Sequence, residues 1–287
     1  MPCHQGHPFG RAGPLGWAAC NDQQVTRTLA VANQKGGVAK TTTVASLGAA
    51  LSAAGKRVLL VDLDPQGSLT FSLGHDPDTL VSSVHEVLLG DVPAADALLG
   101  TADGPSLLPA TIDLAGAEAM LLMRAGREFV LKRALGTVDA DFDVVLIDCP
   151  PSLGVLTLNG LTAADEVLVP LQCETLAHRG VGQLLRTVAD VQAITNPGLT
   201  LLGVLPTLYD ARTTHSRDVL ADVSGRYGVD LLAPPIPRTV RFAEASASGS
   251  SVLHGRKNKG GEAYRELAAN LLAHWDDGAD LVLVDAG

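Results

Sequence analysis

Residues 33–42, Asn-Gln-Lys-Gly-Gly-Val-Ala-Lys-Thr-Thr, stand between an apolar run ending at Ala32 and an Ala/Leu-rich helical pattern that closes at Gly55. This order dictates a strand, a tight glycine turn and a helix. Such a turn aims backbone N–H groups and the positive end of the helix dipole at one spot. Lys40 adds a mobile positive charge there, and the Thr41 hydroxyl is placed to ligate a magnesium ion. These groups together make a triphosphate cradle. The strict pattern G-x-x-x-x-G-K-[ST] is not met, because Gln34 and Ala39 occupy the two glycine positions.

The rest of the chain alternates. Strands are expected at 29–33, 57–62, 142–148, 166–170, 201–206 and 231–233. Helical periodicity covers 41–54, 79–89, 94–99, 114–135, 155–164, 176–194, 214–227 and 262–274. The near-continuous apolar run Arg57-Val-Leu-Leu-Val-Asp62 suits a parallel strand buried on both faces. Strands alternating with helices predict an α/β fold: a doubly wound, mostly parallel sheet with helices on both faces and ligands at the strands' carboxyl ends. No repeat or linker divides the chain, so residues 27–275 read as one domain. Residues 1–26 lack periodicity and any signal-peptide core, and read as a disordered extension. Residues 276–287 read as an acidic tail, in which Leu281-Val-Leu-Val284 is either a final strand or loose chain.

Composition narrows the classes. Apolar residues are 46% but aromatics only 3%, so the core must be aliphatic. A net charge of −10 argues against a chain coated for nucleic acid, without excluding a local basic face. Cys3, Cys20, Cys149 and Cys173 show no C-x-x-C spacing, which points to a reduced, cytoplasmic setting. No apolar run reaches about 18 residues, so no membrane span is expected.

Three carboxylates fall at strand ends. Asp62 and Asp64 lie in Val-Asp-Leu-Asp-Pro-Gln-Gly, and Asp148 closes Val-Val-Leu-Ile-Asp-Cys-Pro-Pro. A lone strand-end aspartate is ordinarily a cap. Three of them in a sheet with a phosphate loop point to metal and water positioning.

The loop resembles the deviant P-loop K-G-G-x-G-K-T-T, with its additional lysine, Lys35. Five segments in order, 33–42, 61–67, 143–152, 209–213 and 236–245, resemble the ParA/Soj group of chromosome- and plasmid-partition ATPases, relatives of the division-site ATPase MinD. The resemblance runs from about Thr28 to His274. It implies a deviant P-loop NTPase that takes ATP and Mg2+, is cytoplasmic and nucleoid-associated, and works as an ATP-dependent homodimer with a ParB-type centromere-binding partner. It implies that Lys35 reaches the phosphates of the partner subunit, that Lys40 holds the β/γ-phosphates, and that Asp64 positions the attacking water. Gly36, Gly37, Val38, Ala39 and Thr42 complete the phosphate loop. Thr41, Asp62 and Asp148 attend the metal, and Pro237, Arg238 and Thr239 border the adenine. Two departures stand out: Ala39 replaces glycine, and Thr239 replaces a common asparagine. An alanine at this position is expected to be tolerated only with φ below zero.

Residues 206–265 carry nine Lys/Arg against six Asp/Glu, a local balance of +3. By resemblance, Arg212 and Arg241, with Arg238 between them, bind double-stranded DNA without sequence preference through its phosphates. The plainer expectation is a surface arginine paired to Asp210 or Glu244. A MinD-like membrane ATPase needs a basic C-terminal amphipathic helix, which Glu262–Gly287, with one arginine among six acids, does not provide. A cluster-bearing relative of the nitrogenase iron-protein kind needs paired cysteines that Cys149 and Cys173 do not supply. A nucleotide-binding regulator with little hydrolysis is the remaining alternative, because of Ala39.

Overall fold

The computed structural model describes residues 26–174, 177–254 and 257–284. All of the expected N-terminal extension but Thr26, with Cys3 and Cys20, lies outside them, as do Arg256 and the last three residues. Seven strands form one sheet: β1 (Arg27–Val31), β2 (Val58–Asp62), β3 (Leu99–Gly100), β4 (Ser106–Leu108), β5 (Val144–Asp148), β6 (Glu166–Gln172) and β7 (Thr200–Thr207). Their order is β3-β4-β2-β5-β1-β6-β7, and every pairing is parallel except β3 with β4.

Alternate strand residues feed two separate cores. Leu29, Val31, Leu60 and Leu146 face one side, while Ala30, Leu59, Val61 and Ile147 face the other. The first side is covered by α1 (Lys40–Ala53), α2 (Ser68–Ser72) and α10 (Lys259–Asp277). The second is covered by α3 (Val84–Leu89), α4 (Leu114–Leu121), α5 (Val130–Leu135), α6 (Val155–Ala163), α7 (Ala177–Ile194) and α8 (Thr214–Tyr227). The sheet is therefore doubly wound, and both faces of its central strands are dry, as their unbroken apolar runs require.

α10 braces α1. Its Asn258 cap accepts from the Gly261 N–H at 2.9 Å, and Tyr264, Leu267, Ala268 and Leu271 follow at helical spacing, all buried. The fully buried Tyr264 hydroxyl pairs with Thr43 of α1 at 2.9 Å. α1 also lies close on β2. A Cβ added at Gly48 would stand 2.5 Å from Leu60, so only glycine fits unless that leucine moves.

Four expectations need correction. The expected strand 231–233 is reduced to isolated bridges, Leu231 with Val204 and Leu232 with Leu283. The periodic stretch 114–135 is two helices: α4 stops at Leu121, and Gly126, at a left-handed φ of 65°, turns the chain into the 3-10 turn Arg127–Phe129 that leads to α5. Only 84–89 of the expected 79–89 helix forms, since Ser83 and Glu86 make a reciprocal capping box that fixes its start. The stretch 94–99 gives a 3-10 turn over Ala94–Ala97 and then enters β3. The sequence reading passed over β3, β4, α2 and α9 (Arg241–Ala247), which have only two to seven residues each. The Leu281–Val284 run docks: Leu232 bridges Leu283 in antiparallel fashion, and the Val284 N–H donates to Leu231 O at 2.7 Å.

Candidate functional site

The carboxyl ends of β1, β2, β5 and β7 converge on a cavity of about 450 Å³. Its wall includes Gly36, Gly37, Ala39, Lys40, Thr41 and Thr42 from the glycine loop, together with Asp64. The loop is held from outside. The Asn33 amide donates to Pro170 O at 2.7 Å, and its oxygen accepts from the Lys35 N–H at 3.0 Å. The Thr207 hydroxyl donates to Val38 O at 3.0 Å, so β6 and β7 both anchor the turn. Gly37 takes φ 74°, and no heavy atom would meet an added Cβ there. Its backbone, not crowding, therefore demands glycine.

Ala39 corrects the expectation of a negative φ. It sits at φ 67°, ψ 31°, in the left-handed region. The loop thus keeps the shape that glycine would give it and carries the Cβ penalty, roughly 1–2 kcal/mol. Leu208, at the end of β7, is the other described non-glycine residue with positive φ (49°), and it too lines the cavity.

Lys40 is buried, and its Nζ donates to Lys35 O at 3.2 Å. Burial lowers its pKa, against the opposing pull of Asp148 and Asp64. The Thr41 hydroxyl donates to Asp148 Oδ2 at 2.7 Å. Asp148 Oδ1 is buried with no hydrogen-bond partner. Burial drives the Asp148 carboxyl well above the usual range, and Asp62, beside it on the next strand, adds to the effect. Asp62 is itself pushed up to about 6, first by burial. Its oxygens face α2 and the Asp64 backbone, and the cavity wall does not include it.

The orphaned Asp148 oxygen and the Thr41 hydroxyl beside it are hard donors. Such a pair fits magnesium, which keeps most of its waters and takes few protein ligands. Among the described residues no three His, Cys, Asp or Glu side chains gather as a metal cluster.

Lys35 is half-exposed, and its ammonium is held by Glu174, just beyond β6. The wall also omits Val38, Asp148 and the expected adenine border Pro237–Thr239. Leu208, Phe242, Ala245 and the Ser250–Val252 segment line it instead. Phe242 and Ala245 fall inside the 236–245 segment and were within reach of the sequence reading; Ser250–Val252 carry no pattern.

The three arginines are on the surface. Arg212 grips both oxygens of Asp210 at 3.0 Å, and Arg241 pairs with Glu244 at 2.7 Å. Arg238 lies within the electrostatic reach of both Glu174 and Asp210. The plainer pairing expected for two of them is therefore present.

Comparison with known proteins follows the same lines. The family described as AAA domain matches residues 26–201. The sporulation initiation inhibitor protein Soj of Bacillus subtilis (strain 168) is 44% identical over 250 residues, 86% of this chain and 99% of that one. The chromosome partitioning protein ParA of Caulobacter vibrioides is 45% identical over 255 residues, 88% of this chain and 96% of that one. A structure described as cobyrinic acid a,c-diamide synthase from Mycobacterium smegmatis, with bound ATP analogue and magnesium, is 70% identical. It superposes with a TM-score of 0.83 over 91% of this chain and 100% of that one. With its two-lysine glycine loop at the head of a doubly wound sheet, the chain belongs to the ParA/Soj family of partition-type P-loop ATPases.

Proposed function

We propose that the chain binds ATP with magnesium, closes as a homodimer on the nucleotide, holds non-specific double-stranded DNA, and hydrolyses ATP when a ParB-type partner engages it. The observation that carries this reading is the pair of lysines on one loop. Lys40 is buried at the cavity wall, where it serves the chain's own phosphates, while Lys35, on the same loop but outside that wall, is half-exposed and paired with Glu174. A second cation there has a use if a facing subunit brings its own phosphates.

Within the site the tasks divide by position. The loop amides and Lys40 hold the phosphates, and Thr41 with Asp148 would hold magnesium, which when bound neutralises charge developing on the phosphate oxygens. Asp64, on the cavity wall, orients water toward the terminal phosphate. Phe242 and Leu208 offer the apolar surface for the base beyond the expected Pro237–Thr239 border. Arg212, Arg238 and Arg241 supply phosphate contacts to DNA, and Arg212 and Arg241 must each leave a carboxylate to do so. A cytoplasmic, nucleoid-associated protein follows from this reading. A MinD-like membrane role is disfavoured because α10 spends its apolar face on the core, and among the described residues no helix is long and apolar enough to cross a membrane.

The deciding experiment is single-turnover hydrolysis with duplex DNA and a ParB-type protein. Stimulated turnover, abolished in Asp64→Ala with ATP affinity kept, is the expected outcome. ATP binding without turnover would favour the non-hydrolysing regulator.

The description of the 70% identical structure motivates a second reading, ATP-driven amidation of cobyrinic acid. Drawing nitrogen from glutamine calls for a reactive thiolate. Cys149 is buried, with its thiol pushed up by burial. Burial raises Cys173 to about 11. Neither described cysteine suits that task. Incubation with cobyrinic acid, ATP and either glutamine or ammonia separates the readings, and a diamide product would overturn the partition assignment.

A further inference from the structure

Asp62 ends β2 fully buried, with its two oxygens divided between neighbours. Oδ1 accepts from the Asp64 N–H at 3.1 Å. Oδ2 accepts from both the Thr70 N–H, at 2.9 Å, and the Thr70 hydroxyl, at 2.8 Å. The same hydroxyl oxygen accepts from the Ala110 N–H at 2.9 Å, and Thr70 too is fully buried. Five polar groups from the end of β2, from α2 and from the segment beyond β4 thus close on one another. Asp64, two residues past Asp62, is on the cavity wall, and its own Oδ1 accepts from the Gln66 N–H at 3.0 Å.

We propose that Thr70 is a positioning residue for Asp64: by fixing the Asp62 carboxylate it fixes the Asp64 amide, and so the direction in which the Asp64 side chain enters the cavity. The inference rests on the reading of Asp64 as the group that orients water. A carboxylate held by three donors keeps one rotamer. Without the hydroxyl, Oδ2 retains a single donor, the buried Ala110 N–H loses its acceptor, and the 62–64 turn is held less firmly. Small displacements of a water-orienting group cost rate far more than they cost substrate affinity.

The test is single-turnover hydrolysis by the full chain with magnesium, ATP, duplex DNA and a ParB-type protein. Thr70→Val keeps the volume and removes the hydroxyl. Its chemical step is expected to slow by about 10- to 100-fold, while affinity for a fluorescent ATP analogue changes by less than about threefold. Thr70→Ser, which keeps both hydroxyl bonds, should restore the rate to within about threefold of wild type. A wild-type rate in folded Thr70→Val overturns the proposal, as does an affinity loss as large as the rate loss. Asp64→Ala is measured beside it. If Asp64→Ala hydrolyses normally, the reading of Asp64 fails; if it is slow and Thr70→Val is normal, only the role of Thr70 fails. Should Thr70→Val not fold, Thr70→Cys takes its place. Its weak thiol donor predicts a slowed rate, and a wild-type rate in folded Thr70→Cys overturns the proposal.

Discussion

The cavity floor and the arginine surface use charge in opposite ways. At the floor, with Lys40 on the cavity wall and the carboxylates Asp62 and Asp148 packed behind it, the charges are almost wholly out of water. Their positions are set by the ends of strands and by hydrogen bonds at or below 3.2 Å. On the surface the Arg212 side chain is 89% exposed and the Arg241 side chain 60%, each paired with a carboxylate in its own segment. Buried charges are costly to strand, whereas exposed pairs contribute about 0–1 kcal/mol and exchange partners readily. Chemistry belongs at the floor. On the proposed reading, reversible attachment to a polyanion belongs on the surface, where a carboxylate partner is easily traded for a phosphate.

If that contrast holds, the largest effect comes from the floor. Lys40→Ala should lower affinity for an ATP analogue by about 2–5 kcal/mol, roughly 30- to several thousand-fold, because it leaves Asp148 and the phosphates without their buried counter-charge. Titration calorimetry measures it, and a loss below tenfold breaks the contrast. The surface predicts a smaller and additive effect. Arg212→Ala and Arg241→Ala should each lower the log–log salt slope of DNA binding by about one unit, equally on unrelated duplexes. An unchanged slope, in gel shifts at several salt concentrations, removes these arginines from the DNA surface.

Smaller still is the loop itself. Ala39→Gly relieves roughly 1–2 kcal/mol of left-handed strain and gives back about 0.5–1 kcal/mol in unfolded-chain entropy, so a net rise of a few degrees at most in melting temperature is expected. A lower melting temperature would mean that the alanine methyl makes a compensating contact.

The least effect is expected at the far end of the sheet. There the hydrogen bonds from the Arg57 side chain and N–H hold the Asp143 carboxyl below its usual range. A depressed carboxyl adds stability above its unfolded pKa of about 3.9 and loses it as pH falls through the folded value. Asp143→Asn should therefore lower the melting temperature at pH 7, and the gap should narrow as pH falls below the unfolded value and through the folded one. A gap of constant size across that range would leave the ion pair without a role.

What was legible in the sequence divides along the same line. Strands buried on both faces announce themselves as apolar runs, so β2 and β5 were found almost to the residue. The capped or glycine-ended helices α8 and α10 were found as well. The phosphate loop was legible because only particular residues make that turn. Its backbone angle at Ala39 was not, since the surrounding anchors Asn33 and Thr207 impose a φ that alanine alone avoids. Short elements such as α2, β3 and β4 fall below the length at which periodicity speaks. The bonds of Asp62 to Thr70 join residues on different elements, and no local pattern encodes them.

The central claim is that Lys35 serves a second subunit. Sedimentation velocity of the full chain with magnesium and ATP, against ADP, tests it directly. The account predicts a dimer with ATP and a monomer with ADP, and a monomer in both for Lys35→Ala and Lys35→Gln. An ATP-dependent dimer in either Lys35 variant would contradict it.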